Sequence, residues 1–140
     1  MAMQLTRAGE YAIKSLLYLA AQEADARVMA SEVAASEQIP VNFVRKILES
    51  LVKTGLVKSY RGAGGGFTLG RAPGAISMRQ VIEAVEGPLA LNQCLLPIPC
   101  EQSPNCPMCH IWREAQDAVE AVLNRYSLAD IVRDRQKAND

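Results

Sequence analysis

The feature that most restricts the fold is a pair of helical patterns flanking Glu37-Gln38-Ile39-Pro40. Before this turn, residues 30–36 form a short helical segment carrying Val33 and Ala34. After it, Val44, Ile47, Leu48 and Leu51 fall at i, i+3, i+4 and i+7, the spacing of one buried helical stripe. Pro40 suits the first turn of that helix, where a missing N–H costs no intrahelical bond. The helix is predicted over 41–54, with Gly55 as its stop. Its opposite face holds Asn42, Arg45, Lys46, Glu49 and Lys53. A short helix, a turn, and a second helix that is apolar on one side and mostly basic on the other make a helix-turn-helix pattern. In that motif the second helix enters a major groove.

The next fifteen or so residues extend the pattern. Residues 56–60 read as a strand, Arg61-Gly62-Ala63-Gly64-Gly65-Gly66 as a turn, and residues 67–69 as the returning strand. A hairpin directly after a recognition helix is a wing. Its glycines let the backbone approach another surface closely, and Arg61 at its tip can reach a minor groove. The same loop lacks the Lys-Ser/Thr of a P-loop and opens no helix, so nucleotide phosphate is not its expected ligand. The charge distribution agrees. The whole chain is formally neutral, with 15 basic and 15 acidic residues. Yet residues 41–72 hold Arg45, Lys46, Lys53, Lys58, Arg61 and Arg71 against the single acid Glu49. Segregated basic charge of this kind is the electrostatic footprint of a phosphate-binding surface.

The flanking segments are helical. Thr6 is placed to cap a first helix running to about residue 22, apolar on more than one side through Ala12, Ile13, Leu16, Leu17 and Leu19. One side can pack on its own domain and another on a partner. Ser77-Met78-Arg79-Gln80 is a capping box for a helix that Gly87-Pro88 ends. A long helix is predicted over 110–126, with Ile111, Ala115, Ala118, Val119 and Val122 in a stripe and Trp112 beside it. Ser127-Leu128-Ala129-Asp130 opens a short last helix through Val132, and the polar residues 133–140 are expected to fray. The apolar run 16–21 is too short to span a bilayer and has no signal-peptide flanks, so the chain is expected to be cytoplasmic.

Between the fourth and fifth helices lies a proline-punctuated stretch, residues 89–107, with Cys94-x5-Cys100-x5-Cys106-x2-Cys109 and then His110. An irregular segment of this length is unusual in a compact domain unless something staples it. In a reducing cytosol, crowded cysteines point to metal ligation or redox thiols rather than disulfides. Thiolates select zinc, copper(I) or iron–sulfur centres. Structural zinc sites usually pair two short knuckles, whereas only Cys106 and Cys109 are close in sequence here, which favours a loop wrapped around a larger cluster. A zinc site and a bare thiol sensor remain as alternatives. Cys109 and His110 are adjacent at a helix start and point apart, with no third group to orient them, so they do not form a catalytic pair.

Several segments together resemble the iron–sulfur cluster regulator (IscR-type) family. They are Met3-Gln4-Leu5-Thr6, the helix-turn-helix ending Leu51-Val52-Lys53-Thr54-Gly55-Leu56-Val57, and the wing Arg61-Gly62-Ala63-Gly64-Gly65-Gly66-Phe67. Cys94, Cys100 and Cys106, the Trp112 beyond them, and Ser127-Leu128 complete the likeness, which covers nearly the whole chain. The resemblance implies a homodimer built on a winged helix-turn-helix and a long C-terminal dimerisation helix. It also implies a [2Fe–2S] or [4Fe–4S] cluster held by Cys94, Cys100 and Cys106. For the fourth ligand the chain departs from the family, where a histidine stands at the place of Cys109. The candidates are Cys109, His110, and Glu10 of the opposite subunit, which matches a carboxylate ligand of nitric-oxide- and redox-sensing relatives. An all-thiolate site would be more reducing than one with histidine.

For DNA, the resemblance places Asn42, Phe43 and Arg45 at base edges and Arg61, with Gly62 and Gly64, in the wing. Lys46 and Lys53 are expected on phosphates. Arg45 replaces an acid of the best-known member, and arginine favours guanine O6 and N7. The expected fold is mainly α with a small β-hairpin. Residues 1–88 form the DNA-binding domain, 89–110 the cluster loop, and 111–140 the dimerisation helix and last helix. The expected protein is no enzyme. It is a DNA-binding transcriptional regulator, a repressor on a palindromic operator, that senses redox state, iron, oxygen or nitric oxide. The competing expectation is a zinc-stabilised or thiol-based winged-helix regulator, or a protein-interaction module, without a cluster.

Overall fold

The computed structural model describes residues 5–91, 95 and 106–139. Within them, α1 spans Arg7–Ala21 and is capped by Thr6, whose hydroxyl accepts the Gly9 N–H at 3.1 Å. Next come α2 (Ala30–Glu37) and α3 (Val41–Lys53). The hairpin is β1 (Val57–Tyr60) with β2 (Gly66–Leu69). A single 3₁₀ turn, Pro73–Ala75, leads to α4 (Met78–Glu86). Two further helices are α5 (Cys109–Arg125) and α6 (Leu128–Asn139). The fold is mainly α with a small antiparallel hairpin, as the sequence predicts.

One apolar core holds the helix-turn-helix together. Leu16 and Ala12 of α1, Val33 of α2, and Val44, Leu48 and Leu51 of α3 are fully buried. The α2–α3 turn is fixed at both ends. Gln38 takes a left-handed conformation (φ 57°, ψ 48°), and Ile39, 4% exposed, plugs the core while its N–H donates to the Ala34 carbonyl at 3.1 Å. Pro40 stands just outside α3, at its cap, rather than in its first turn. The hairpin pairs Val57 with Leu69 and Tyr60 with Gly66.

The C-terminal end corrects the expectation that residues 133–140 fray. α6 continues to Asn139, well beyond Val132. Its start is stitched to the start of α4: the Met78 N–H donates to the Tyr126 carbonyl at 2.9 Å, and the Leu128 N–H to Ile76 at 3.0 Å. Leu128 and Ile76 are both fully buried. Farther along, Arg135 Nη2 meets Glu37 Oε1 at 2.6 Å, and the Glu37 side chain is only 5% exposed. A polar helix face therefore stays ordered because it docks on the end of α2, a tertiary contact that local composition does not reveal. No helix among the described residues is long and apolar enough to cross a membrane.

Candidate nucleic-acid interface

The amphipathic pattern of α3 decides what it offers to solvent. With Val44, Ile47, Leu48 and Leu51 inward, Asn42, Phe43, Arg45, Lys46, Glu49 and Lys53 all lie exposed. Phe43 is 52% exposed despite its size, its ring edge-on to Tyr11 of α1 at 6.0 Å between centroids. It is not a core residue. An aromatic edge held on the outer face is suited to packing on base methyl groups.

The wing is built from the same body. Gly62 and Gly64 take φ +80° and +78°, the left-handed region that glycine reaches without strain. The Gly65 N–H closes the turn on the Gly62 carbonyl at 2.9 Å, and Arg61 stands exposed beside it. Behind the hairpin, Val28 pairs with Phe67 through two backbone hydrogen bonds of 2.9 and 2.8 Å. The approach is so close that a Cβ on Gly66 would stand 2.8 Å from the Val28 carbonyl oxygen. Arg27 adds a side-chain contact. Its Nη1 donates to the Gly64 carbonyl at 2.8 Å, and its guanidinium lies 3.9 Å over the Tyr60 ring. A cleft of about 300 Å³ lies between the start of α2 and the wing, lined by Met29, Ser31, Tyr60, Gly62 and Phe67 among others, with Arg45 of the recognition helix also on it.

The candidate ligands lie elsewhere. Cys94 and Cys100 fall outside the described residues. Cys106 and Cys109 are half-buried free thiols in one turn, where the Cys109 N–H donates to the Cys106 carbonyl at 3.4 Å. Cys109 is the first residue of α5, so the helix starts one residue earlier than expected, and His110 is exposed. Glu10 is exposed in the first turn of α1. Among the described residues, no group of three or more His, Cys, Asp or Glu side chains is placed to hold a metal ion. Two free thiols separated by one turn are nonetheless the donor chemistry that a soft metal centre takes.

Three polar side chains around this region carry no periodic sequence signal. Buried Gln116 of α5 receives the Leu91 N–H at 3.0 Å and donates to the Leu89 carbonyl at 2.6 Å, so it holds the start of the loop after α4. Arg79 pairs with Glu83 within α4 at 2.9 Å and joins α4 to α5 through Glu120 at 3.3 Å. Its hydrogen bond to Glu83 holds the guanidinium above its ordinary pKa; burial opposes this, and the charges of Glu83 and Glu120 add to it. Glu86, the last residue of α4, accepts the Thr6 hydroxyl and, at 3.3 Å, the Thr6 N–H. A carboxylate at a helix N-terminus is favourable. It ties the end of α4 to the helix that carries Glu10.

Recognition helix and wing are built on one core, and that arrangement makes the chain a winged-helix protein. Comparison with known proteins gives the particular family. A family model described as "Rrf2: Iron-dependent Transcriptional regulator" matches residues 5–134. The HTH-type transcriptional regulator IscR of Yersinia enterocolitica is 31% identical over 130 residues, covering 93% of this chain and 79% of that protein. The IscR of Erwinia tasmaniensis is 30% identical over 146 residues, covering 99% of this chain and 88% of that protein. Among solved structures, CymR (YrzC), the global cysteine regulator of B. subtilis, superposes with a TM-score of 0.78 at 26% identity, covering 94% of this chain and 97% of that one. T. potens IscR does so at 0.74 and 25%, covering 100% and 93%. The chain belongs to the Rrf2 family of transcriptional regulators. Its relatives are named as regulators, not enzymes.

Proposed function

We propose that this Rrf2-family regulator acts as a homodimeric repressor on a palindromic operator and senses its signal through an iron–sulfur cluster. The observation that carries the reading is one cleft lined by Arg45 of α3, by the start of α2 and by the wing residues Tyr60, Gly62, Gly65 and Gly66. Asn42, Phe43 and Arg45 read base edges, Arg61 enters the minor groove beside the Gly62–Gly64 turn, and Lys46 and Lys53 hold phosphates. α5 pairs the two subunits. In support, Ile111, Val119 and Val122 are 44%, 38% and 45% exposed on one chain. Residues 1–88 are the reader, 89–110 the sensor and 111–140 the coupling segment.

Cys94, Cys100 and Cys106 hold the cluster, with Cys109, His110 or Glu10 of the opposite subunit as fourth ligand. When bound, the cluster supplies a centre responsive to redox state, iron supply, oxygen or nitric oxide. Gln116 fixes the polypeptide entering the cysteine segment, and Glu86 fixes the end of α4 on α1. Both sit where a change in the loop is passed to the helices that set the separation of the two readers. Protein purified anaerobically is expected to be brown, with iron and acid-labile sulfide. Its cluster-loaded and cluster-free forms are expected to differ in duplex affinity, measured by fluorescence anisotropy at two salt concentrations. Equal affinity would remove the sensing role.

One specific likeness favours a second reading. The fold superposes well on a regulator named for cysteine control. In that reading the thiols act without a cluster, or hold zinc. A colourless protein with one zinc per chain, or with no metal, would decide for it.

A further inference from the structure

The wing rests on a side chain that lies outside both the recognition helix and the hairpin. Arg27 precedes α2, in the short segment after α1. Its guanidinium does two things at once: it covers the Tyr60 ring at 3.9 Å, and it donates to the Gly64 carbonyl at 2.8 Å. Tyr60 is the last residue of β1, and Gly64 belongs to the turn beyond it. Arg61, Gly62 and Ala63 lie between the two points that Arg27 grips. The adjacent Val28–Phe67 bridge anchors the start of β2, and Arg27 extends that anchorage into the turn.

We propose that Arg27 is a positioning residue for the wing, setting the height of Arg61 relative to the recognition helix. The proposal rests on the reading of Arg61 as a wing contact to DNA. A glycine-rich turn with left-handed residues has many conformations of similar energy, and binding must order it. A planar guanidinium stacked on one end and hydrogen-bonded to the other removes part of that freedom before DNA arrives. One face of the cation is already covered by Tyr60 and one nitrogen is already committed to Gly64. It is therefore arranged as a clamp rather than as a phosphate ligand.

The test uses the full chain and a duplex selected by the wild-type protein from a random-sequence pool. Arg27→Ala is expected to bind that duplex about fivefold more weakly with an unchanged salt slope. It should also speed amide exchange across residues 62–67 in the free protein. Tyr60→Leu keeps the Arg27 charge and removes its platform, so it is expected to reproduce both effects. In an Arg61→Ala background, the further loss from Arg27→Ala should shrink to less than about twofold, because the two residues act through one contact. Two results would overturn the clamp. One is wing exchange unchanged by Arg27→Ala. The other is a salt slope reduced by about one together with a neutral Tyr60→Leu, which would make Arg27 a direct phosphate contact. An Arg61→Ala variant that binds like wild type overturns the wing contact itself, a separate failure, because the exchange measurement still reports on the clamp without DNA.

Discussion

α3 and α5 are both amphipathic helices, and they use that property in opposite ways. In α3, four apolar side chains are buried and the polar face looks outward. In α5, Gln116 is the buried residue, and Ile111, Val119 and Val122 face solvent on the single chain. Periodicity says which residues share a face; it does not say what covers that face. For α3 the cover is the chain's own core. For α5 the described residues leave Ile111, Val119 and Val122 uncovered, which is why the proposed dimer is built there. A helix held to its own subunit by a glutamine and an arginine–glutamate cluster is also held by directional contacts rather than by bulk burial.

Substitutions in the apolar faces of the two helices should therefore have different consequences. Leu48→Ala in α3 is expected to cost about 2–5 kcal/mol, read as a lower urea midpoint at unchanged slope. Val122→Asp in α5 should leave the stability of a single subunit within about 0.5 kcal/mol, as an exposed substitution does. The same change should abolish self-association in sedimentation experiments and weaken operator binding with it. If Val122→Asp unfolded the chain at low concentration, α5 would be part of the subunit core, and its contrast with α3 would fall.

Gln116 gives the next largest effect. Gln116→Ala leaves the Leu91 N–H and the Leu89 carbonyl without their partner, at a cost of about 1–3 kcal/mol if both stay buried. The effect should localise, with faster amide exchange at residues 89–91 and little change in α3. Uniform destabilisation would show the segment to be continuous with the core. Arg135→Ala probes the counterpart contact on the reader side. It leaves the Glu37 carboxylate, 5% exposed, without its cation just before the recognition turn. Solvent screening at the half-exposed arginine limits the loss to about 1 kcal/mol. Weaker duplex binding by Arg135→Ala at unchanged fold would make α6 a support for the reader.

Most of the reader was legible in the sequence, because each of its parts is local. The stripe Val44-Ile47-Leu48-Leu51, the turn at Pro40 and the glycine-rich hairpin each declare themselves within a few residues. For Phe43 the pattern does not decide between core and surface, since a large apolar residue beside a buried stripe fits either, and the packing of α1 places it outside. Arg27, Glu37, Glu86 and Gln116 were not legible as contacts. Their partners lie 37, 98, 80 and 27 residues away, respectively. A single polar residue has no period to betray its role. The same reason hid the end of α6, where charged residues read as a fraying tail until Glu37 is brought against Arg135. For the cysteines, the motif spacing carried more than the described structure does, because Cys94 and Cys100 lie outside it and only the Cys106–Cys109 turn can be described.

The smallest effect concerns pH at the seam between α5 and α6. Asp130 accepts the Ser127 backbone N–H at 2.9 Å and its hydroxyl at 3.1 Å, and it meets Arg133. The backbone hydrogen bond from Ser127 is the main cause that holds the carboxyl below its ordinary value of 3.8; burial opposes it, while the Ser127 hydroxyl and Arg133 lower it further. A carboxylate lowered on folding stabilises the folded state above 3.8, and that contribution fades as pH falls below it toward the lower folded value. Asp130→Asn should therefore lose stability near neutral pH and show a flatter acid limb. Urea midpoints between pH 5 and 2 check this. An unaltered acid limb in Asp130→Asn would mean that the buried Ile76–Leu128 contact alone holds the seam, and that α6, like α3, is kept in place by burial rather than by its polar cap.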